Sequence, residues 1–159
     1  MTDQQKISAI LKRLEYFDLN FPELKSHFAR KDNSYPLSNT CPSCGYLTLD
    51  SRAIYDLCTF CNWEDDGQDN PDADLVCEGP NEDYSLTAHR LEIYDLMNSL
   101  KENRSPDNSV VYSIGQELMK LDTFISNNEL NIKLVLNQIE LLSDLFHKFR
   151  QSGSNRKPN

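Results

Sequence analysis

The sequence predicts a mostly α-helical protein of the α+β class that is organised around a small metal-binding module. Three observations support this fold class. Two Cys-x-x-Cys pairs lie close together in the chain, the residues between them alternate as in a β-hairpin, and apolar residues recur at helical intervals on both sides. We therefore expect a central zinc ribbon, a β-hairpin with two Cys-x-x-Cys knuckles, flanked by N-terminal helices and a C-terminal antiparallel αα-hairpin.

The N-terminal helices are expected in residues 1–32. Residues 3–17 have the apolar spacing of a helix, and Thr2 or Asp3 is a suitable N-terminal cap. A second short helix is predicted in the sequence FPELKSHFARK, where Pro22 fits the first turn. The polar residues 31–40 are interpreted as a connection to the ribbon.

The ribbon domain, with the acidic loop that follows it, is predicted in residues 38–90. Its proposed zinc ligands are two pairs of cysteines whose spacing is typical of Zn²⁺ sites: Cys41, Cys44, Cys58 and Cys61. The predicted hairpin has one strand in residues 46–49, a turn in 50–52 and a returning strand in 53–57. Four cysteines fill a tetrahedral shell and leave no position for an activated water, so we expect a structural site and no enzymatic activity.

The same cysteines could instead form disulfides. The N-terminus mixes charges with apolar residues and does not resemble a secretory signal. The metal interpretation and a cytoplasmic location are therefore favoured over disulfides. The fifth cysteine, Cys77, is interpreted as a small buried side chain, with a reactive thiol or further ligand as the alternative.

The acidic loop follows the ribbon, and no Lys or Arg occurs from residue 53 to residue 89. Turn-forming residues interrupt it, so a loop is expected rather than a helix. A calcium loop is disfavoured because Ala73 occupies the position that requires a bidentate Glu. Such a run is ordinarily a solvated surface, but it also suits a basic protein partner. The candidate partner-binding residues are Trp63, Glu64, Asp65, Asp66, Asp69, Asp72 and Asp74.

Trp63 and the histidines each allow two interpretations. Trp63 either packs over the hairpin as its main apolar anchor or contributes an interface hot spot. The three histidines are widely separated in sequence and are interpreted as surface or packing residues, with His89 of most interest because it follows the acidic loop.

The C-terminal helical region is expected in residues 86–150, and a disordered tail in residues 151–159. A first helix is predicted near residues 86–101, and apolar positions then define two longer helices separated by the short sequence Ser126-Asn127-Asn128. The short connection predicts that these two helices pack as an antiparallel αα-hairpin. Whether their apolar faces form a core or a dimer interface is left open.

The net charge of −9 restricts the classes of partner. Grip on nucleic acid or on anionic membranes requires clustered Lys and Arg, which this composition disfavours. No apolar run reaches the length of a membrane span. A basic protein is therefore the favoured partner.

Several motifs between residues 41 and 90 resemble the bacterial cysteine-rich CPCC family. In order, they are CPSCGYLTL, the pair Cys58 and Cys61, NWEDDGQDNPDAD, GPN, Ser85-Leu86 and His89-Arg90. Ser43 stands where the family usually has a third cysteine. The zinc-spaced cysteines are unaffected by this difference, which counts against a redox role for that position.

Some members of that family are encoded near polymorphic toxins, so the resemblance implies an immunity role. With the acidic loop, the resulting hypothesis is a zinc-binding immunity protein that neutralises a cognate toxin, for example a nuclease, by occupying its basic cleft. The alternative is a zinc ribbon that acts on nucleic acid or in the transcription machinery. That function would call for basic residues near the knuckles, where only Arg52 is found.

Overall fold

The computed structural model describes residues 1–22, 39–105 and 109–154, with the side chains of 153 and 154 excepted. Its elements are α1 (Asp3–Asn20), β1 (Asn39–Thr40), β2 (Leu47–Leu49), a single 3-10 turn (Asn70–Asp72), α2 (Leu86–Glu102), α3 (Ser109–Ser126) and α4 (Ile132–Ser154). The described chain is thus mostly helical with a small antiparallel sheet, as the sequence predicts. The second short helix predicted from Phe21 and the connection after it fall mainly outside the described residues.

The chain divides into two compact units, residues 1–94 and residues 95–159. The first unit contains α1, the two strands, the irregular segment after them and the start of α2. The second contains the end of α2 together with α3 and α4. No helix in the described part of the chain has the length and apolar character needed to cross a membrane.

Helix α1 starts at a capping box. The Thr2 hydroxyl accepts a hydrogen bond from the Gln5 backbone N–H at 3.3 Å, and Thr2 N–H donates to the Gln5 side chain at 2.8 Å. These bonds satisfy donors that a helix N-terminus otherwise leaves unpaired. One face of α1 is buried within the first unit, and it includes Ile10 and Arg13.

The predicted hairpin between the two cysteine pairs is wrong. Strand β2 pairs with β1, which precedes the first cysteine pair, and its register joins Thr40 to Leu47. Residues 53–57 do not form the returning strand because Ala53 and Tyr55 have φ angles of 58° and 63°. Such left-handed conformations interrupt an extended strand.

The second unit is built on an apolar core between α3 and α4. Its fully buried members are Ile114, Leu118, Leu121, Val135, Ile139 and Leu142. The Gln138 side chain adds a hydrogen bond of 3.0 Å to the Glu117 carbonyl oxygen. Helix α4 extends to Ser154, so residues 151–154 are helical and the tail prediction is wrong for them.

Candidate metal centre

The first knuckle is a tight turn that begins at Cys41. Gly45 N–H donates to the Cys41 carbonyl at 3.0 Å, and Cys41 N–H donates to the Tyr46 carbonyl at 2.9 Å. Gly45 has a φ of 78°, and a Cβ at this position would lie 2.8 Å from the Ile10 carbonyl oxygen. Both the conformation and the close approach of α1 therefore require glycine.

The second knuckle, which begins at Cys58, repeats the first. Asn62 N–H donates to the Cys58 carbonyl at 3.0 Å, and Cys58 N–H donates to the Trp63 carbonyl at 2.9 Å. Asn62 has a φ of 62°, as expected at the position equivalent to Gly45, because Asn tolerates the left-handed region better than most residues. A β-bridge between Leu57 and Glu64 matches the pairing of the first knuckle.

Each knuckle is thus a small hairpin of its own. The sequence carries a signal for this repeat that the analysis missed: CPSCGY and CTFCNW share Cys-x-x-Cys, a residue suited to positive φ, and an aromatic residue. Both aromatic residues, Tyr46 and Trp63, are completely buried. The strands pair within each knuckle rather than between the two knuckles.

The two knuckles bring the four predicted ligands together. The sulfur atoms of Cys41, Cys44, Cys58 and Cys61 all lie within 4.8 Å of one another, and all four residues are buried. The Sγ atoms of Cys41 and Cys61 are 3.7 Å apart, as are those of Cys44 and Cys58. Tetrahedral Zn²⁺ with bonds of about 2.3 Å separates its sulfur ligands by roughly 3.8 Å. The cluster can therefore hold a metal ion, and its donors and dimensions are consistent with zinc.

The pKa values of Cys41 and Cys58 are shifted in opposite directions. Burial, together with thiol neighbours, raises the pKa of Cys41 well above its ordinary value. Burial alone would also raise the pKa of Cys58, but hydrogen bonds from the other cysteines and from the Thr48 hydroxyl hold it well below that value. The Thr48 oxygen lies 3.0 Å from the Cys58 sulfur. These hydrogen bonds favour the thiolate of Cys58, which is the form in which cysteine binds a metal ion.

Two buried arginines support the first knuckle from opposite ends of the first unit's sequence. Arg13 of α1 donates to the Cys44 carbonyl at 2.8 Å, and its guanidinium lies 4.4 Å from the centre of the Tyr46 ring. Arg90 of α2 donates to the Pro42 carbonyl at 2.9 Å. Neither of these roles is predicted from the sequence, because nothing local marks an arginine as the partner of a distant backbone carbonyl.

Ser43, between the two cysteines of the first knuckle, also meets α2. Its hydroxyl lies 2.6 Å from Nδ1 of His89, and His89 contacts Trp63 with ring centroids 5.1 Å apart. Burial lowers the pKa of His89, which favours the neutral imidazole. His89 is therefore a packing residue beside the metal centre, as one of the sequence interpretations expects.

Two of the residues predicted to bind a partner are buried instead. Trp63 and Asp65 have no exposed surface, so neither can contact a partner in this structure. Trp63 packs inside the second knuckle, which supports its interpretation as an apolar anchor. Asp65 accepts hydrogen bonds of 2.7 Å from both Arg52 Nε and Ala53 N–H, so it stabilises the segment after β2.

The remaining candidates lie at the surface or are half-buried: Glu64, Asp66, Asp69, Asp72 and Asp74. They belong to a loop that is held together by hydrogen bonds from its own side chains. The Asn81 side chain accepts from Glu64 N–H at 3.1 Å and donates to the Glu64 carbonyl at 2.8 Å. The Gln68 amide donates to the carbonyls of Asp72 and Leu75 at 3.1 and 2.9 Å. The acidic segment is therefore an ordered loop, as expected.

Cys77 is half-buried and lies apart from the four-cysteine cluster. Its neighbours Leu75 and Val76 are 60% and 54% exposed, so the prediction that Cys77 is a buried apolar residue beside them is wrong. Exposed apolar residues also follow β2, where Ile54 and Tyr55 are 64% and 61% exposed.

Comparison with known proteins identifies the segment that contains this centre. Residues 39–105 match the model of the family described as cysteine-rich CPCC. No match is found among curated proteins or among solved structures. The matched residues include both knuckles, the acidic loop and α2, so the resemblance inferred from residues 41–90 is confirmed. Within this 159-residue chain, residues 39–105 are therefore the part that is similar to the cysteine-rich CPCC family.

Proposed function

We propose that this chain is a zinc-binding bacterial immunity protein that neutralises a cognate toxin by direct binding through an acidic surface. Zinc would be held by the four clustered cysteines and would stabilise the fold rather than take part in a reaction. We also propose that α3 and α4 form an antiparallel αα-hairpin, which is supported by their packing and by the short connection at 127–131.

The observation that carries the proposal is that the acidic loop is held in one conformation by hydrogen bonds from its own side chains. It presents Asp69 and Asp74 at the surface, and the segment from 53 to 89 contains no Lys or Arg. Like charges held together in a closed loop repel one another, and a basic partner relieves that repulsion. Toxins that act on nucleic acid carry basic clefts, so a nuclease is the toxin class that this charge favours.

The apolar part of the proposed interface lies after β2. Since Trp63 is buried, we assign the anchoring role to Ile54 and Tyr55, which are exposed. Asp65 holds their backbone: its side chain bonds Ala53 N–H, and its carbonyl accepts from Tyr55 N–H at 2.9 Å. A segment held in its binding conformation loses little freedom on association, which favours affinity.

Native mass spectrometry of the chain co-expressed with the protein encoded by the neighbouring gene tests the proposal. We expect one zinc ion per chain and a stoichiometric complex. The triple variant Glu64→Lys, Asp69→Lys, Asp74→Lys is expected to abolish the complex, because it reverses charges at the proposed interface.

The matched control is Glu102→Lys, Glu140→Lys, Asp144→Lys, which changes the net charge equally at exposed positions of the second unit. The control variant is expected to retain the complex. Equal binding by both variants would remove the acidic loop from the interface. A steep salt-dependent affinity for DNA or RNA would favour the nucleic-acid alternative instead.

A further inference from the structure

Two buried positive charges lie against the first knuckle. Arg13 and Arg90 are 7% and 2% exposed, and they reach the knuckle from α1 and α2. Their bonds end on carbonyl oxygens on either side of Ser43, those of Pro42 and Cys44. Two helices that are distant in sequence therefore each place a guanidinium at the same Cys-x-x-Cys turn.

A buried cation is unfavourable unless an anion or a set of dipoles compensates it. The groups that bond the Arg90 guanidinium, the Pro42 carbonyl and the Asn70 side-chain amide, are neutral. Burial lowers the pKa of Arg90, and the nearby carboxylates of Asp69 and Asp74 oppose that effect only in part.

The charge of the occupied centre would add to this compensation. Four thiolates around one divalent ion leave two negative charges in excess, and here they are buried. Two guanidinium groups carry two positive charges. We propose that Arg13 and Arg90 are the counter-charges of the metal centre and strengthen its affinity for a divalent ion.

This proposal makes α1 a part of the metal centre, although α1 lies outside the matched residues 39–105. The close approach of Ile10 to Gly45 independently places α1 against the same knuckle. The proposal rests on metal binding by the four cysteines and does not depend on toxin neutralisation.

The test measures Zn²⁺ affinity of the full chain by competition with a chromophoric chelator. Arg13→Gln and Arg90→Gln keep a donor for the knuckle carbonyl but remove the charge, whereas Arg13→Lys and Arg90→Lys keep the charge. We expect each Gln variant to bind zinc about 10- to 100-fold more weakly, in the range observed when groups around a metal's ligands are changed. Each Lys variant is expected to stay within a few fold of the wild type.

Arg52→Gln is the matched control, because Arg52 bonds Asp65 and Asp69 rather than the knuckle. Its affinity should remain within about twofold of the wild type, since its charge already has carboxylate partners. Absorption of the Co²⁺ forms shows whether each variant keeps four thiolate ligands, so an altered ligand set is recognised.

Wild-type affinity in the Gln variants, or equal losses in the Gln and Lys variants, would contradict a charge-based role. If a Gln variant does not fold, the Lys variant at the same position still tests the proposal. A 10- to 100-fold loss of zinc affinity in a Lys variant with an intact Co²⁺ spectrum overturns the proposal. A wild-type chain that takes up no ion would overturn the metal centre itself.

Discussion

Oδ2 of Asp65 lies 2.7 Å from Nε of Arg52, and the Asp65 side chain is completely buried. The same oxygen accepts the Ala53 N–H, so one carboxylate satisfies an arginine and a backbone donor. Hydrogen bonds of this charged kind contribute more than neutral ones. Asp65 is thus a structural residue within a sequence of otherwise accessible acids.

We expect Asp65→Ala to reduce the free energy of unfolding by about 2–4 kcal/mol, because it removes the acceptor of Ala53 N–H and of Arg52 Nε and leaves Arg52 with Asp69 as its carboxylate partner. Urea denaturation in the presence of zinc measures the loss. The control Asp83→Ala removes an exposed carboxylate from the same segment and should change stability by less than about 0.5 kcal/mol. Equal losses of stability in the two variants would show that buried Asp65 contributes no more than an exposed carboxylate.

Removal of the metal should unfold the knuckles while the core between α3 and α4 persists. The knuckles are short turns whose fold depends on shared ligands, whereas Ile114 and Ile139 belong to an apolar core. Hydrogen exchange with and without a strong chelator checks this, with a reductant present throughout. Amides of residues 41–66 should lose protection, and those of 111–146 should keep it. Unchanged protection of 41–66 after mass spectrometry confirms metal loss would refute this expectation.

Ser43→Cys changes CPSC in the first knuckle to CPCC, the sequence for which the matched family is named. Ser43 is buried and faces His89, so the new sulfur is not expected to enter the four-cysteine cluster. We expect one ion per chain and an unchanged Co²⁺ spectrum. Stability should fall by about 1 kcal/mol, since a thiol is a weaker hydrogen-bonding partner for His89. Altered Co²⁺ absorption would instead indicate that position 43 reaches the metal.

Gly115→Ala should destabilise the second unit although alanine favours helices. A Cβ at residue 115 would clash with the Leu100 carbonyl oxygen, and a backbone atom cannot move away without disturbing the fold. We expect a net loss of about 1–3 kcal/mol after the gain in helix propensity. Thermal unfolding measures it, with Thr123→Ala at an exposed position of α3 as the control. Stabilisation by Gly115→Ala would show that α3 can move away from the Leu100 carbonyl at little cost in free energy.

Glu117 predicts a defined pH dependence. Burial would raise its pKa, but hydrogen bonds from Gln138 and Lys120 outweigh burial and lower it from 4.5. A depressed pKa in the folded state gives stability that is present above the unfolded pKa and is lost as pH falls through the folded value. Glu117→Gln should therefore cost roughly 0.5–1.5 kcal/mol at pH 7. The difference from the wild type in urea denaturation should shrink below pH 4.5, and a constant difference would argue against this role of Glu117.

The sequence predicted the ligands because their chemistry is local. Cys-x-x-Cys spacing states both the residue type and the turn that presents it, and the four sulfurs meet as expected. Apolar periodicity likewise located α2 and the two C-terminal helices. These features depend on neighbours within a few residues.

The errors concern long-range partners. Residues 53–57 alternate as a strand does, but Asp65 bonds Ala53 and Tyr55 in left-handed conformations that a period-two pattern cannot reveal. Because Trp63 and Asp65 stand in an acidic sequence, Asp65 is predicted at the surface and Trp63 has an interface role as one of its two interpretations. Their burial follows from the second knuckle, whose equivalence to the first becomes clear only once Gly45 and Asn62 are compared.

The hydrogen bonds of the Asn81 side chain affect the heat capacity expected for binding at the acidic loop. It bonds both backbone groups of Glu64 and, at 3.2 Å, the Asp66 carboxylate, so it closes the acidic segment into a ring. The conformational entropy of this ring is lost during folding, before any complex exists. Association at its surface should therefore show a heat-capacity change that matches the apolar area buried, without the larger change that accompanies coupled folding and binding.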